Sequence, residues 1–139
     1  YGCGKTYLLA FLAKRLSDGG KKVIFAYYPD LVRQIKSSIS TGKLEAIVDE
    51  LKEVDCLFLD DFGGEQNSEF IRDEVLGAIL QDRMMNNLFT CISSNISPDL
   101  LVEHISNGNK EIDLVKASRI YERIKTLMEF VELVDKNYR

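Results

Sequence analysis

The sequence contains few of the residues that build disulfide frameworks and metal centres. It has three cysteines and a single histidine, His104. An odd number of cysteines does not suit a disulfide framework, and one histidine without paired cysteines argues against a zinc site. We therefore expect a cytoplasmic protein in a reducing compartment, with Cys56 and Cys91 buried as small apolar side chains.

Long apolar runs and excess positive charge are also missing. No stretch approaches the roughly 18 apolar residues needed to cross a bilayer, so we expect no membrane partner. The formal charge of −4 argues against binding nucleic acid through bulk charge, although local basic patches are compatible with it. No Ser/His/Asp or Cys/His constellation is evident. The length of 139 residues and the hydrophobic content of 45% suit one packed domain.

The opening stretch, YGCGKT, matches the end of the phosphate-binding pattern G-x-x-x-x-G-K-[ST]. In such a loop the backbone curls so that its N–H groups point at phosphate oxygens, and the following helix adds its positive N-terminal end. Lys5 is expected to reach the β- and γ-phosphates, and the Thr6 hydroxyl is expected to ligate Mg²⁺. The residues predicted to contact the nucleotide are Gly2, Cys3, Gly4, Lys5, Thr6 and Tyr7.

Hydrophobic periodicity predicts helices that alternate with strands. The predicted helices cover residues 5–16, 31–38, 43–51, 68–85, 98–105 and 111–127, and the predicted strands cover 22–28, 55–61, 88–93 and 129–134. Asp30 is expected to cap the second helix and Ser97 the fifth. Such alternation predicts an α/β fold, a parallel sheet with helices on both faces, as in P-loop NTPases.

A phosphate-binding loop joins a strand to a helix, and no strand precedes Tyr1 in this chain. In P-loop sheets that strand lies in the middle. We therefore expect the fold to lack its first central strand here, and the functional protein to carry at least about ten further residues upstream.

The segment DCLFLDD, residues 55–61, resembles a Walker B motif. An unbroken apolar run is typical of a strand that is buried on both faces of a parallel sheet. It would carry Asp60 and Asp61 to the carboxyl edge of the sheet, where ligands bind in open α/β folds. Asp60 is expected to hold Mg²⁺ directly or through water, and Asp61 to orient or deprotonate the attacking water. The alternative is a strand that simply ends in polar residues.

Three further residues are candidates for the chemistry. Asn95 follows the next strand and is expected beside Asp61, where an amide could hold the lytic water or touch the γ-phosphate; an ordinary loop asparagine is the alternative. Arg119 and Arg123 are four residues apart on one face of the last helix. One of them could be an arginine finger that reaches a neighbouring subunit's nucleotide, and solvated helix arginines are the alternative.

Four stretches, YGCGKTYLLAFLAKRL, CLFLDDFGGE, TCISSN and ASRIYERIK, together resemble one known family. They are similar to the AAA+ ATPases of the bacterial replicative helicase-loader family, the DnaC/DnaI primosomal type, and follow its order over nearly the whole chain. The first two stretches are shared by many P-loop ATPases, whereas DDFGGE with ASRIYERIK points more narrowly to the loaders. The resemblance implies that residues 1–139 form a single AAA+ ATPase domain that is incomplete at its N-terminus.

The resemblance also implies roles and partners. Lys5 and Thr6 match Walker A, Asp60 and Asp61 match Walker B, and Asn95 matches sensor 1. The arginine finger is best matched by Arg119, with Arg123 in the same box. The family implies ATP or ADP and Mg²⁺ as cofactors, slow hydrolysis, self-association into an oligomer or spiral, and delivery of the replicative helicase onto single-stranded DNA.

Three other functions remain open at this point. A transposition-helper ATPase shares the same motifs but serves a transposase. A small-molecule P-loop kinase usually needs an arginine-rich lid, and none is visible between Asn95 and Ala117. The third alternative is not an enzyme: it is an interaction module that is controlled by bound nucleotide and rarely hydrolyses it.

Overall fold

The structure, a computed structural model, describes residues 4–63, 68–106 and 111–133. Within these residues three parallel strands form one sheet. The strands are β1 (Val23–Tyr27), β2 (Cys56–Asp60) and β3 (Phe89–Ile92), and β2 lies in the middle. Phe58 lies opposite Phe25 of β1 and opposite Cys91 of β3.

Helices connect the strands, as parallel strands require. The helices in the described part of the chain are α1 (Lys5–Asp18), α2 (Tyr28–Thr41), α3 (Leu44–Glu53), α4 (Gly77–Met85), α5 (Pro98–Ile105) and α6 (Glu111–Leu127). None of them combines the length and the apolar character that a membrane crossing needs. The predicted alternation of helices and strands is confirmed.

Alternate residues of β2 face opposite sides of the sheet, which therefore has two cores. Cys56 and Phe58 pack on one side against Leu9 and Ala13 of α1. On the other side a larger core joins β2 to α2, α3, α4, α5 and α6. Every residue of β2 is buried, as the unbroken apolar run predicted, so helices do cover both faces of the sheet.

The strand predicted over residues 129–134 is wrong. Residues 129–133 form neither strand nor helix, and Val134 lies outside the described residues. An extended segment becomes a strand only when a neighbour accepts and donates its backbone hydrogen bonds. Here the chain turns back on α6 instead, and the ring of Phe130 stacks on Tyr121 with 6.0 Å between centroids.

The predicted cap at Asp30 is also wrong. Helix α2 begins at Tyr28, so Pro29 lies inside its first turn, where proline is tolerated because the first N–H groups lack a helical partner in any case. The Asp30 carboxylate accepts a hydrogen bond from Arg33 instead. Ser97 does occupy the position before α5, but its side chain makes no capping bond.

The predicted helix over residues 68–85 contains a feature that its periodicity did not indicate. Ile71–Leu76 is a π-helical turn, and α4 follows it from Gly77. A Cβ atom at Gly77 would lie 3.0 Å from an Nη1 atom of Arg123 and 3.2 Å from the Cδ1 atom of Ile120. The missing side chain therefore lets α6 pack closely against α4.

Arg83 fixes the amino-terminal edge of the sheet. Its buried guanidinium donates to the carbonyl oxygens of Leu51, Val54 and Phe89, and to the hydroxyl of Thr90. Burial lowers the pKa of this guanidinium from its ordinary value. One charged side chain thus joins the end of α3 to the starts of β2 and β3.

Candidate nucleotide-binding site

The polar candidates collect at the carboxyl edge of the sheet, because the three strands run parallel and end on the same side. β1 ends at Tyr27, β2 ends at Asp60, and Ser93 follows β3. The first turn of α1 meets the same edge at Thr6. Arg83 lies at the opposite edge, so these candidates meet at the edge where ligands bind in open α/β folds.

Thr6 and Asp60 are in direct contact. The Thr6 hydroxyl donates to the Oδ2 atom of Asp60 at 2.8 Å, although the two residues are 54 positions apart in sequence. Asp60 is only 3% exposed. The structure therefore brings together the two residues that were predicted from separate motifs to hold Mg²⁺.

The spacing of these two oxygens suits Mg²⁺. An octahedral ion with ligands at about 2.1 Å places adjacent ligand oxygens about 3 Å apart, close to the 2.8 Å between Thr6 Oγ1 and Asp60 Oδ2. A hydroxyl and a carboxylate are also hard oxygen donors of the kind that this ion prefers. Thr6 and Asp60 would hold the ion, which when bound neutralises charge on the phosphate oxygens.

Asp61 has an unusual backbone conformation that directs its side chain. Its φ of 58° lies in the left-handed region, which aspartate and asparagine tolerate better than most residues. The Asp61 N–H donates to Ser93 Oγ at 2.9 Å, and its Oδ2 accepts the Tyr27 hydroxyl at 3.2 Å. That hydrogen bond and the charge of Asp61 raise the pKa of the Tyr27 phenol from its ordinary value.

Two serines after β3 clamp the turn that follows β2, and sequence reasoning missed both. Ser93 Oγ donates to Asp60 Oδ1 at 2.5 Å, and Ser94 Oγ donates to the Phe62 carbonyl at 2.7 Å. The available signal was their position, since they immediately precede Asn95 at the end of a strand. Serine is common in loops, so the sequence alone could not distinguish these two serines from loop serines without a role in the site.

His104 of α5 also contacts the turn that follows β2. Its Nε2 atom is hydrogen-bonded to the Gly63 carbonyl, and because a carbonyl only accepts, Nε2 carries the proton. Gly63 has a φ of 92°, and a Cβ atom there would lie 2.5 Å from Ile96 Cδ1. The turn after Asp61 is therefore shaped by contacts to α5 and to the loop before it.

The phosphate-binding loop is described only from Gly4 onward, and Gly2 and Cys3 lie outside the described residues. Gly4 has a left-handed φ of 76° and immediately precedes α1, whose first N–H groups have no partner within the helix. Lys5 and Asn95 both line one large cavity, which extends along β3 and past the end of α6. The predicted roles of these residues stay predictions, but their positions are compatible with a shared ligand.

The two arginines of α6 differ in their surroundings. Arg123 is half-buried, and it donates to Gln81 Oε1 at 3.0 Å and to the Gly77 carbonyl at 3.3 Å. Arg119 is exposed, and both arginines line one shallow groove together with Leu114. The guanidinium of Arg123 therefore holds α6 on α4, and the predicted role of either arginine as a finger stays a prediction.

Comparison with known sequences identifies relatives of the whole chain. The family described as IstB-like ATP binding protein matches residues 1–139. The replicative helicase loader DnaI of Bacillus subtilis strain 168 is 39% identical over 140 residues, which is 100% of this chain and 45% of that protein. The chain therefore spans slightly less than half the length of this curated relative.

Solved structures show the same relationship. The crystal structure of DnaI matches with a TM-score of 0.84 and 40% identity, over 93% of this chain and 66% of that one. A putative primosome component from Streptococcus pyogenes serotype M3 matches with a TM-score of 0.71 and 32% identity, over 98% and 66% of the two chains. These likenesses confirm the predicted AAA+ P-loop fold and the resemblance to the helicase loaders.

Proposed function

The chain belongs to the family of IstB-like ATP binding proteins, and on that premise we propose that it is the ATPase domain of a replicative helicase loader. The observation that carries the proposal is the contact between Thr6 and Asp60 at the N-terminus of α1. It supports the proposal because it pairs two side chains that would hold a nucleotide-bound Mg²⁺ at a point where a helix terminus favours phosphate. The 39% identity to DnaI supports the loader assignment.

In the proposed mechanism each side chain has a separate task. The amides at the start of α1, including those of Gly4 and Tyr7, bind the phosphates, and Lys5 neutralises the β- and γ-phosphate oxygens. Asp61 takes a proton from the attacking water or orients it, and Asn95 holds that water from the neighbouring strand end. Hydrolysis would be slow and would depend on Mg²⁺, which Thr6 and Asp60 would hold.

The proposed partners follow from the relatives. The chain aligns with less than half of a protein named as a replicative helicase loader, so the helicase itself is the first partner. Single-stranded DNA is the second, and further copies of the chain form an oligomer or spiral through the face that carries Arg119. We place this activity in the cytoplasm.

The experiment that tests the function is a loading assay. The intact protein, the hexameric helicase of the same cell and circular single-stranded DNA are mixed with ATP and Mg²⁺, and helicase retained on the circles is measured after gel filtration. We expect retention only when the loader is present, and less when EDTA replaces Mg²⁺. No gain in retained helicase, together with stimulation of a transposase or phosphoryl transfer to a small acceptor, would instead support one of the rival functions.

Replacing Arg119 tests the proposed assembly. The Arg119→Ala variant is expected to bind nucleotide normally as a dilute monomer, but its hydrolysis at high protein concentration should fall to the dilute rate, because the finger acts on a neighbour's phosphates. Phosphate release measured over a range of protein concentrations checks this. Lys125→Ala is the matched control, since Lys125 is an exposed cation on the same helix that pairs with Glu122. Equal impairment of the dilute monomer would mean that Arg119 acts within its own chain.

A further inference from the structure

We propose that Ser93 is a positioning residue that sets how much Mg²⁺ increases the affinity of this site for nucleotide. The inference rests on the proposed nucleotide-binding function and concerns a residue that belongs to neither Walker motif. Ser93 follows β3 and is 5% exposed. Its hydroxyl contacts both residues of the acidic pair that ends β2, namely Asp60 and Asp61.

The direction of each hydrogen bond is fixed by chemistry. A backbone N–H can only donate, so Ser93 Oγ is the acceptor in its 2.9 Å contact with Asp61 N. The single hydroxyl proton is then available for the 2.5 Å contact with Asp60 Oδ1, and an ionised carboxylate only accepts. The contact is therefore a charge-assisted bond, which is stronger than one between neutral groups.

This bond fixes the orientation of the Asp60 carboxylate. With Oδ1 held by Ser93, the other oxygen, Oδ2, faces Thr6 at 2.8 Å. The last torsion of an aspartate side chain is broad and nearly two-fold, so without Ser93 the carboxylate could rotate, and Oδ1 would lose its partner in a buried position. Mg²⁺ tolerates little departure from octahedral geometry, and rotation of a ligand carboxylate would weaken its binding.

Ser94 provides a matched comparison from the next position in the chain. Its hydroxyl donates to the Phe62 carbonyl at 2.7 Å and accepts the Ile96 N–H at 3.1 Å. It holds the same turn through a hydroxyl that donates to a neutral carbonyl and, among the described residues, makes no hydrogen bond to Asp60. A general loosening of the turn would therefore follow from loss of either serine, whereas misplacement of Asp60 would follow only from loss of Ser93.

The test measures binding in the intact protein. The affinity for a fluorescent ATP analogue is determined in excess Mg²⁺ and again in EDTA, and the ratio of the two affinities gives the coupling between nucleotide and ion. In Ser93→Ala we expect this ratio to fall about tenfold, the effect of one lost hydrogen bond to a charged group, while the affinity in EDTA is unchanged. Ser94→Ala should keep the wild-type ratio, and Ser93→Thr, which retains the hydroxyl, should restore most of it.

The possible outcomes separate the inference from the function on which it rests. A wild-type ratio in Ser93→Ala, or an equal fall in Ser94→Ala, overturns the positioning role while ATP binding stands. Absence of ATP binding by the wild-type protein overturns the proposed function and this role with it. If Ser93→Ala does not fold, Ser93→Cys keeps the size of the side chain with only a weak donor, and the same fall in the ratio is expected.

Discussion

Asp61→Asn is expected to leave ATP binding intact and to lower hydrolysis by about 10²- to 10⁴-fold, the range for loss of a general base. Asparagine is the informative replacement because it tolerates the left-handed region in which Asp61 lies, with a φ of 58°. Its amide oxygen can still accept the Tyr27 hydroxyl, and its N–H can still donate to Ser93. The change therefore removes the negative charge and leaves the turn in place.

Single-turnover phosphate release measures the hydrolysis rate, and titration with an ATP analogue measures nucleotide binding. Asp30→Asn is the matched control, because Asp30 is an exposed carboxylate in the first turn of α2, directly after β1 ends, and is paired with Arg33. It should hydrolyse ATP at the wild-type rate. Equal turnover in Asp61→Asn and wild type would remove Asp61 from the chemistry, and loss of binding in Asp61→Asn would make its role structural.

Lys5→Ala is expected to abolish measurable nucleotide binding. Each hydrogen bond to a charged group contributes about 1.5–3 kcal/mol, and loss of contacts to two phosphates would weaken binding by roughly 10²- to 10⁴-fold. Fold stability should change little, because Lys5 is only half-buried and is the first residue of α1. The expected loss is therefore specific to the ligand.

Calorimetric titration with ATP and Mg²⁺, together with thermal unfolding without nucleotide, checks this expectation. Lys14→Ala is the control, since Lys14 lies on the same helix, is exposed and pairs only with Asp18 among the described contacts. Lys14→Ala should bind ATP as the wild type does. Unchanged ATP affinity in Lys5→Ala would refute the assignment of the phosphate-binding loop.

The wrong predictions share a physical cause. Residues 129–133 include Phe130, Val131 and Leu133, which suit a strand, yet a strand forms only beside a partner, and here Phe130 packs on Tyr121 instead. Asp30 is a good capping residue, yet the backbone enters α2 earlier and its carboxylate pairs with Arg33. In both cases the local preference did not decide the outcome: Phe130 packs on α6, and Asp30 pairs with Arg33 one turn further along α2.

The sequence by itself predicted the alternation of helices and strands, a strand over residues 55–61 that is buried on both faces, and one edge at which the parallel strands end. Periodicity and unbroken apolar runs report which faces avoid water, and the ends of parallel strands must share an edge. Only the tertiary structure decided that Ser93 holds Asp60, that Tyr27 holds Asp61, and that Arg123 is occupied by α4 while Arg119 is exposed. Hydrogen-bond partners depend on distances of a few tenths of an ångström between segments far apart in sequence, and no local pattern encodes such distances.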